Sequence, residues 1–315
     1  MPVGLFIGFG AGLASALLFY SAARGSPLLS VLLPLLTPLP TLLAGIGWGW
    51  LPAAVGAVTG ALVMAIAVSV PSAGVYFIAF GLPVAIIAYL AYLSRPDPQD
   101  PTRREWYPVG RLLAGISLYG GTLPVLALPA IGGSYEFVRA PMSEVLRRLS
   151  ARAPELGFKP LSDAQVEALA EFVVVVLPAT LAAYWVAILA INLYLAGRIA
   201  RASGQFGRDW PDLPALAYPP GYPLLVVLAL AATFAPGIVG VAGASFSGAL
   251  LVAYLIAGLA LMHFIARGRA PWILWFVYAG LVLFTPYAAV ALMAIGLLEP
   301  ALRLRRRFGA SPPSV

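Results

Sequence analysis

The sequence predicts an all-α fold: a polytopic transmembrane helical bundle of about eight or nine spans, with one amphipathic loop helix. Three observations carry this. Of 315 residues, 61% are hydrophobic and only 10% charged, whereas soluble domains carry about 25% charged residues. Several runs lack any charge over the roughly 18 residues that cross a bilayer as a helix. The mean hydropathy of +0.93 describes more apolar surface than one globular core can bury. The whole chain, 1–315, therefore reads as a single integral membrane domain. Its parts are helices over 4–131, a polar amphipathic loop at 132–170, helices over 171–298 and a basic tail at 299–315.

Apolar spans fall at 4–22, 27–47, 51–70, 73–93, 109–131, 171–197, 222–240, 243–266 and 272–298. The first has no Lys or Arg before it, so it reads as a retained span and not as a cleaved signal peptide. Within it, Gly4, Gly8, Gly12 and Ala16 recur every fourth residue. That spacing lays a smooth ridge along one helix face, where another backbone can approach closely. Ordinary packing within the bundle and a docking face for a second membrane protein are both open readings. The second span holds "LLPLLTPLPT" at 32–41, in which each proline removes a backbone donor and displaces a carbonyl. The second and third spans are joined by "WGW" and Leu51, a tight turn whose Trp48 and Trp50 suit the headgroup level. The third span repeats the small-residue device at Gly56 and Gly60.

A proline-rich polar linker, 94–108, separates the fourth and fifth spans. In the long loop, Met142, Val145, Leu146 and Leu149 follow helical spacing, with Arg147, Arg148 and Arg152 on other faces. This is an amphipathic helix, expected on the bilayer surface or over the bundle mouth. Ser162 and Gln165 have capping-box spacing, so a helix starts near Asp163 and runs into the sixth span.

The net charge of +7 comes from 18 arginines and one lysine, all in loops or at span ends. In a membrane chain this reads as positive-inside bias and attraction to anionic lipid, so the expected partner is the bilayer and not nucleic acid. If every span crosses once from a cytoplasmic N-terminus, the arginine count is balanced between the two sides. If 272–298 makes no net crossing, the tail "RLRRR" joins the inside and the bias becomes clear. That segment is broken at Thr285-Pro286. Eight crossings plus a kinked or re-entrant hairpin, with both termini cytoplasmic, is the favoured topology; a long ninth helix is the alternative.

No Asp, Glu, Lys or Arg lies mid-span, which argues against a proton- or cation-coupled transporter. Chemistry is equally sparse. There is no cysteine, so thiol catalysis and cysteine metal sites are excluded. The sole histidine, His263, stands sixteen residues from Ser247 on one apparent helix, about 24 Å away, beyond the reach of a Ser–His pair. No catalytic residue, metal ligand or cofactor motif is assigned, and the chain reads as a non-enzyme. The informative feature is the proline break. Pro34, Thr37, Pro38, Pro40 and Thr41 form one interruption, and Pro124 with Pro129 another. Interrupted helices are tolerated where freed carbonyls line a cavity. Trp48, Tyr119, Tyr184 and Trp185 are aromatics that could join such a pocket, and Asn192 is its mid-span polar group. Simple kinking for packing is the other reading.

The order of these features resembles the YybS-like family of bacterial membrane proteins, a domain of unknown function. The resemblance lies in the small-residue first span, "PLP" at 38–40 followed by "GWGWLPAAVGA", the amphipathic loop, "GLALMHFIARG" at 258–268 and "GLLEPALRLRRR" at 296–307. Glu299-Pro300 depart from the family's usual acid and aromatic at that point. That family is similar in fold to the S components of energy-coupling-factor transporters. The similarity implies a multi-pass bundle in the cell inner membrane, a pocket near one face and a first helix that docks a partner. Binding or passage of a small uncharged solute is the leading expectation. An envelope scaffold without a ligand is the alternative, and a lipid-acting enzyme using the acidic residues of 132–171 is a third.

Overall fold

The computed structural model describes residues 2–22, 33–98, 100, 102–267 and 270–308. The first residues of the expected second span, 27–32, lie outside them. The chain is a helical bundle with two ends, here called the hairpin side and the stalk side. Helix α1, Pro2–Ala22, starts at the hairpin side. A segment from Leu33 returns there as helix α2, Leu39–Trp48. Gly49 then turns the chain at φ 98°, a conformation open to glycine, and α3 follows at Trp50–Ala67. Ser69 caps α4, Val70–Tyr76. A π-turn at Phe77–Gly81 links it without a break to α5, Leu82–Ala91. Pro83 lacks the amide hydrogen that a regular helix needs there, and the π-turn absorbs the defect.

The linker at 94–108 is more ordered than its prolines suggest. Ser94–Pro96 (β1) and Arg104–Trp106 (β2) pair antiparallel, and the Arg95–Glu105 ion pair at 2.7 Å ties them. Helix α6, Val109–Ala127, crosses to the stalk side. There α7, Arg139–Arg152, turns back against α8, Asp163–Ala202. The capping box at Ser162 and Gln165 starts α8 as the spacing predicts. With 40 residues, α8 is about 60 Å long, twice the hydrocarbon thickness.

Helix α7 packs along the start of α8. The contact is mainly polar, with Met142 and Leu146 half-buried. Ser143 donates to Glu167 at 3.1 Å, Arg147 pairs with Glu167 at 2.6 Å and Arg139 with Glu171 at 3.4 Å. These pairs run antiparallel, so α7 stands beside the first turns of α8 as a stalk. Val145 and Leu149 point outward.

The expected seventh span, 222–240, stops early. Helix α9 covers only Tyr222–Ala232, because Pro236 cannot donate and Gly237 takes φ 64°. Helix α10, Gly237–Ala266, returns to the hairpin side. The last apolar segment is a hairpin, α11 (Trp272–Leu283) and α12 (Thr285–Leu302), broken at Phe284. Tyr278 of α11 reaches His263 near the end of α10, 3.3 Å from Nε2. Leu292 and Gly296 pack at Gly258 and Tyr254. Helix α13, Leu304–Phe308, brings Arg305 over Phe264 and to the Leu216 carbonyl. Thus α12 runs parallel to α10 and ends where α11 began. Among the described residues seven helices are long and apolar enough to cross a membrane, α12 among them, and 33–48, α9 and α11 are shorter apolar helices; both ends of the described chain lie at the hairpin side.

Candidate functional site

The proline break is filled by the chain's own side chains. Thr37, Thr41 and Asn192 are all at most 2% exposed. The Pro34 carbonyl accepts from the Thr37 amide at 3.2 Å. The Thr37 hydroxyl turns to Leu33 O and that of Thr41 to Pro38 O. Two side chains from elsewhere seal the interruption. Tyr76 donates to Ser15 at 2.7 Å, and Ser15 donates to the Thr37 carbonyl at 2.6 Å. Asn192 donates to Leu35 O at 2.6 Å and to Ile188 O at 2.8 Å, while its Oδ1 is buried without a partner among the described residues. Pro38 is buried and Pro40 half-buried in the same knot.

Of the four aromatics, two come together. Tyr119 and Trp185 have ring centroids 5.5 Å apart. Their polar tips reach the π-turn, Tyr119 donating to Ile78 O and Trp185 to Ala79 O, both at 2.7 Å. They satisfy carbonyls that the irregular turn sets free. Tyr184 and Trp48 are exposed on the bundle surface, at positions that lipid or its headgroups would contact.

The ridge of α1 is covered from within. A Cβ on Gly4 would come 3.2 Å from the Pro52 ring, and one on Gly8 would lie 2.9 Å from the Pro52 carbonyl carbon. On Gly12 it would sit 2.8 Å from Thr59 Cβ, and Ala16 is fully buried. Helix α3 therefore occupies this face, as the reading of ordinary packing within the bundle expects.

A different site lies in the second half of the chain. The stretch "YPPGYP", 218–223, enters the bundle at the mouth of α9, with Gly221 at φ 83°. Tyr218 and Tyr222 stack at 4.7 Å, and Tyr254 of α10 packs 5.5 and 5.7 Å from them. Tyr222 bonds to Ser117 of α6, and Tyr218 donates to the Ala253 carbonyl at 2.7 Å. Beside this cluster is a cavity of about 200 Å³, walled by Leu216–Gly221, Pro223, Tyr254, Ala257, Gly296, Glu299, Pro300 and Arg305. Tyr254 is twelve residues before the end of α10, about 18 Å of helix rise. The cavity extends from there toward the hairpin side, where Arg305 lies over Phe264, two residues before the end of α10.

Two unusual groups border it. The Tyr254 hydroxyl is buried with no hydrogen-bond partner among the described residues, and so is Arg305 Nε. Arg305 otherwise pairs with Glu299 at 3.4 Å, each side chain 18% exposed, and holds the Leu216 carbonyl at 2.8 Å. The sequence signal for this site was present in the two tyrosines flanking Pro219-Pro220-Gly221. It was overlooked because a proline-rich turn reads as a surface loop.

The acidic residues of the stalk are largely engaged with arginine. A second, open cavity of about 290 Å³ there is lined by Glu136, Arg139, Ala140, Ser143, Arg147 and Glu167, and its carboxylates face Arg139 and Arg147. His263 bonds to Leu259 O and Tyr278, while Ser247 faces Thr233 at 3.5 Å. The family described as "Predicted membrane protein (DUF2232)" matches over residues 13–299. No curated protein and no solved structure matches the chain.

Proposed function

We propose, from the premise that the chain belongs to this DUF2232 family of predicted membrane proteins, that it is a non-enzymatic inner-membrane protein that binds a small uncharged solute. The observation that carries the reading is the tyrosine cavity, with a buried Tyr254 hydroxyl that lacks a partner among the described residues. Leaving a buried donor unmet costs about 1–3 kcal/mol, so a molecule that meets it is favoured there. Convergent polar groups in an otherwise apolar pocket are the usual form of a ligand site. The solute site accordingly belongs at Tyr218, Tyr254, Glu299 and Arg305. Residues Pro34–Thr41 with Asn192 act instead as the polar knot that holds the first half of the bundle together. The likeness to YybS-like proteins and to S components is part of this proposal, in its solute-binding aspect; docking through Gly4, Gly8, Gly12 and Ala16 is not.

The test is direct. The full chain is purified from native membranes in lipid nanodiscs, and bound small molecules are identified by mass spectrometry. A compound that accompanies the wild type and is absent from Ala257→Phe, whose side chain fills the cavity, supports solute binding. Equal recovery from both, with the variant folded, refutes it. The scaffold reading has one observation in its favour, the outward apolar stripe of Phe137, Val145, Leu149 and Phe158 at the stalk. Recovery of a protein lost on Val145→Glu and Leu149→Glu would favour that reading.

A further inference from the structure

The identity of the solute is constrained by what the cavity walls offer. A volume of about 200 Å³ lies below the roughly 300–1,000 Å³ of drug-sized sites and leaves room for a single ring. Pro219, Pro220, Pro223 and Pro300 supply flat apolar walls. The hydrogen-bonding groups without partners are the Tyr254 hydroxyl, which can donate or accept, and the Arg305 Nε–H, a donor. Tyr218 has already given its proton to the Ala253 carbonyl, so toward a ligand its oxygen is an acceptor. The one formal positive charge, on Arg305, is matched by Glu299 at 3.4 Å.

An anionic ligand would have to break that pair or share the space with the Glu299 carboxylate. A pure hydrocarbon would leave both groups unmet. We infer, resting on the solute-binding reading above, that this cavity takes a neutral single-ring molecule with a carbonyl acceptor, of the carboxamide or lactam class. The carbonyl oxygen meets Tyr254 or Arg305, and an amide N–H meets the Tyr218 oxygen. The ring lies against the proline walls.

The experiment uses the full chain in lipid nanodiscs and three probes that share one ring: benzamide, benzoate and toluene. Binding is followed by ligand-observed NMR. The signal from nanodiscs carrying Ala257→Phe is subtracted to remove partition into lipid, and empty nanodiscs serve if that variant does not assemble. Benzamide is expected to bind at least about tenfold more tightly than either other probe. Tyr254→Phe should weaken benzamide by about five- to tenfold, the loss of one hydrogen bond, and leave toluene unchanged. Benzoate binding as tightly as benzamide overturns the neutral assignment, and unchanged benzamide affinity in Tyr254→Phe overturns the donor assignment. No benzamide binding overturns the inference alone when a native compound is lost on Ala257→Phe. If no such compound is found either, the solute-binding reading falls with it.

Discussion

Replacing Gly12 by alanine adds a single methyl group, yet it tests how the first half of the bundle is held. At Gly12 the new Cβ would lie 2.8 Å from Thr59 Cβ and 3.0 Å from the Gly56 carbonyl carbon. Comfortable carbon contacts are about 3.5–4.0 Å, so α1 must back away by about 1 Å or bend. Gly56 presses on Gly8 from the other side, so retreat at one level loosens the next. Overpacking of this kind costs about 1–3 kcal/mol. Gly10 is the internal control, because a Cβ there meets nothing within 4 Å. The helix-propensity gain of up to about 1 kcal/mol makes Gly10→Ala neutral or slightly stabilising. Unfolding in mixed micelles by SDS titration, followed by tryptophan fluorescence, should place Gly12→Ala below Gly10→Ala by at least about 1 kcal/mol. Coincident midpoints would mean that α1 and α3 do not touch, and the ridge would again be free to receive a partner.

Asn192→Leu removes the donor to the Leu35 carbonyl and should cost about 1–3 kcal/mol in the same titration; a smaller effect would indicate that water takes over. Reporter fusions after Gly204 and at the C-terminal tail should report the same compartment, and one at Gly157 the opposite one. A tail on the Gly157 side would contradict the return of α12 to the hairpin side.

Periodicity and capping signals made most of the architecture legible. Ser162 and Gln165 marked the start of α8 by local hydrogen bonding, and the break at Thr285-Pro286 marked the hairpin. The failures share one cause, which is that pattern gives a face but not its neighbour. The apolar stripe of α7 was expected to turn toward the bundle or lipid, but arginine–carboxylate pairing makes its contact with α8 mainly polar. The prolines at 34–40 marked an interruption, but the carbonyls that take donors from elsewhere are those of Leu35 and Thr37, while Pro34 O is met by the Thr37 amide. That Ser15 and Asn192, 22 and 157 residues away along the chain, come to meet that stretch is a tertiary fact with no local trace. The tyrosine cavity draws on α6, α10, α12 and a turn, so no single stretch could announce it.

Helix α8 deserves a mechanical reading. It is one covalent rod whose far end carries the stalk and whose near end carries Arg201 over the ring of Trp210 at 5.3 Å. Between them Trp185 and Asn192 bolt it to the π-turn and to the second span. The only proline inside it is Pro178, the one place where the backbone ladder lacks a rung. That position is braced on both sides: a Cβ on Gly248 of α10 would lie 2.7 Å from the Ala179 carbonyl carbon, and Val174 is buried in a cluster with Leu128. A load applied at the stalk is therefore passed into the neighbouring helices and not absorbed at the missing rung.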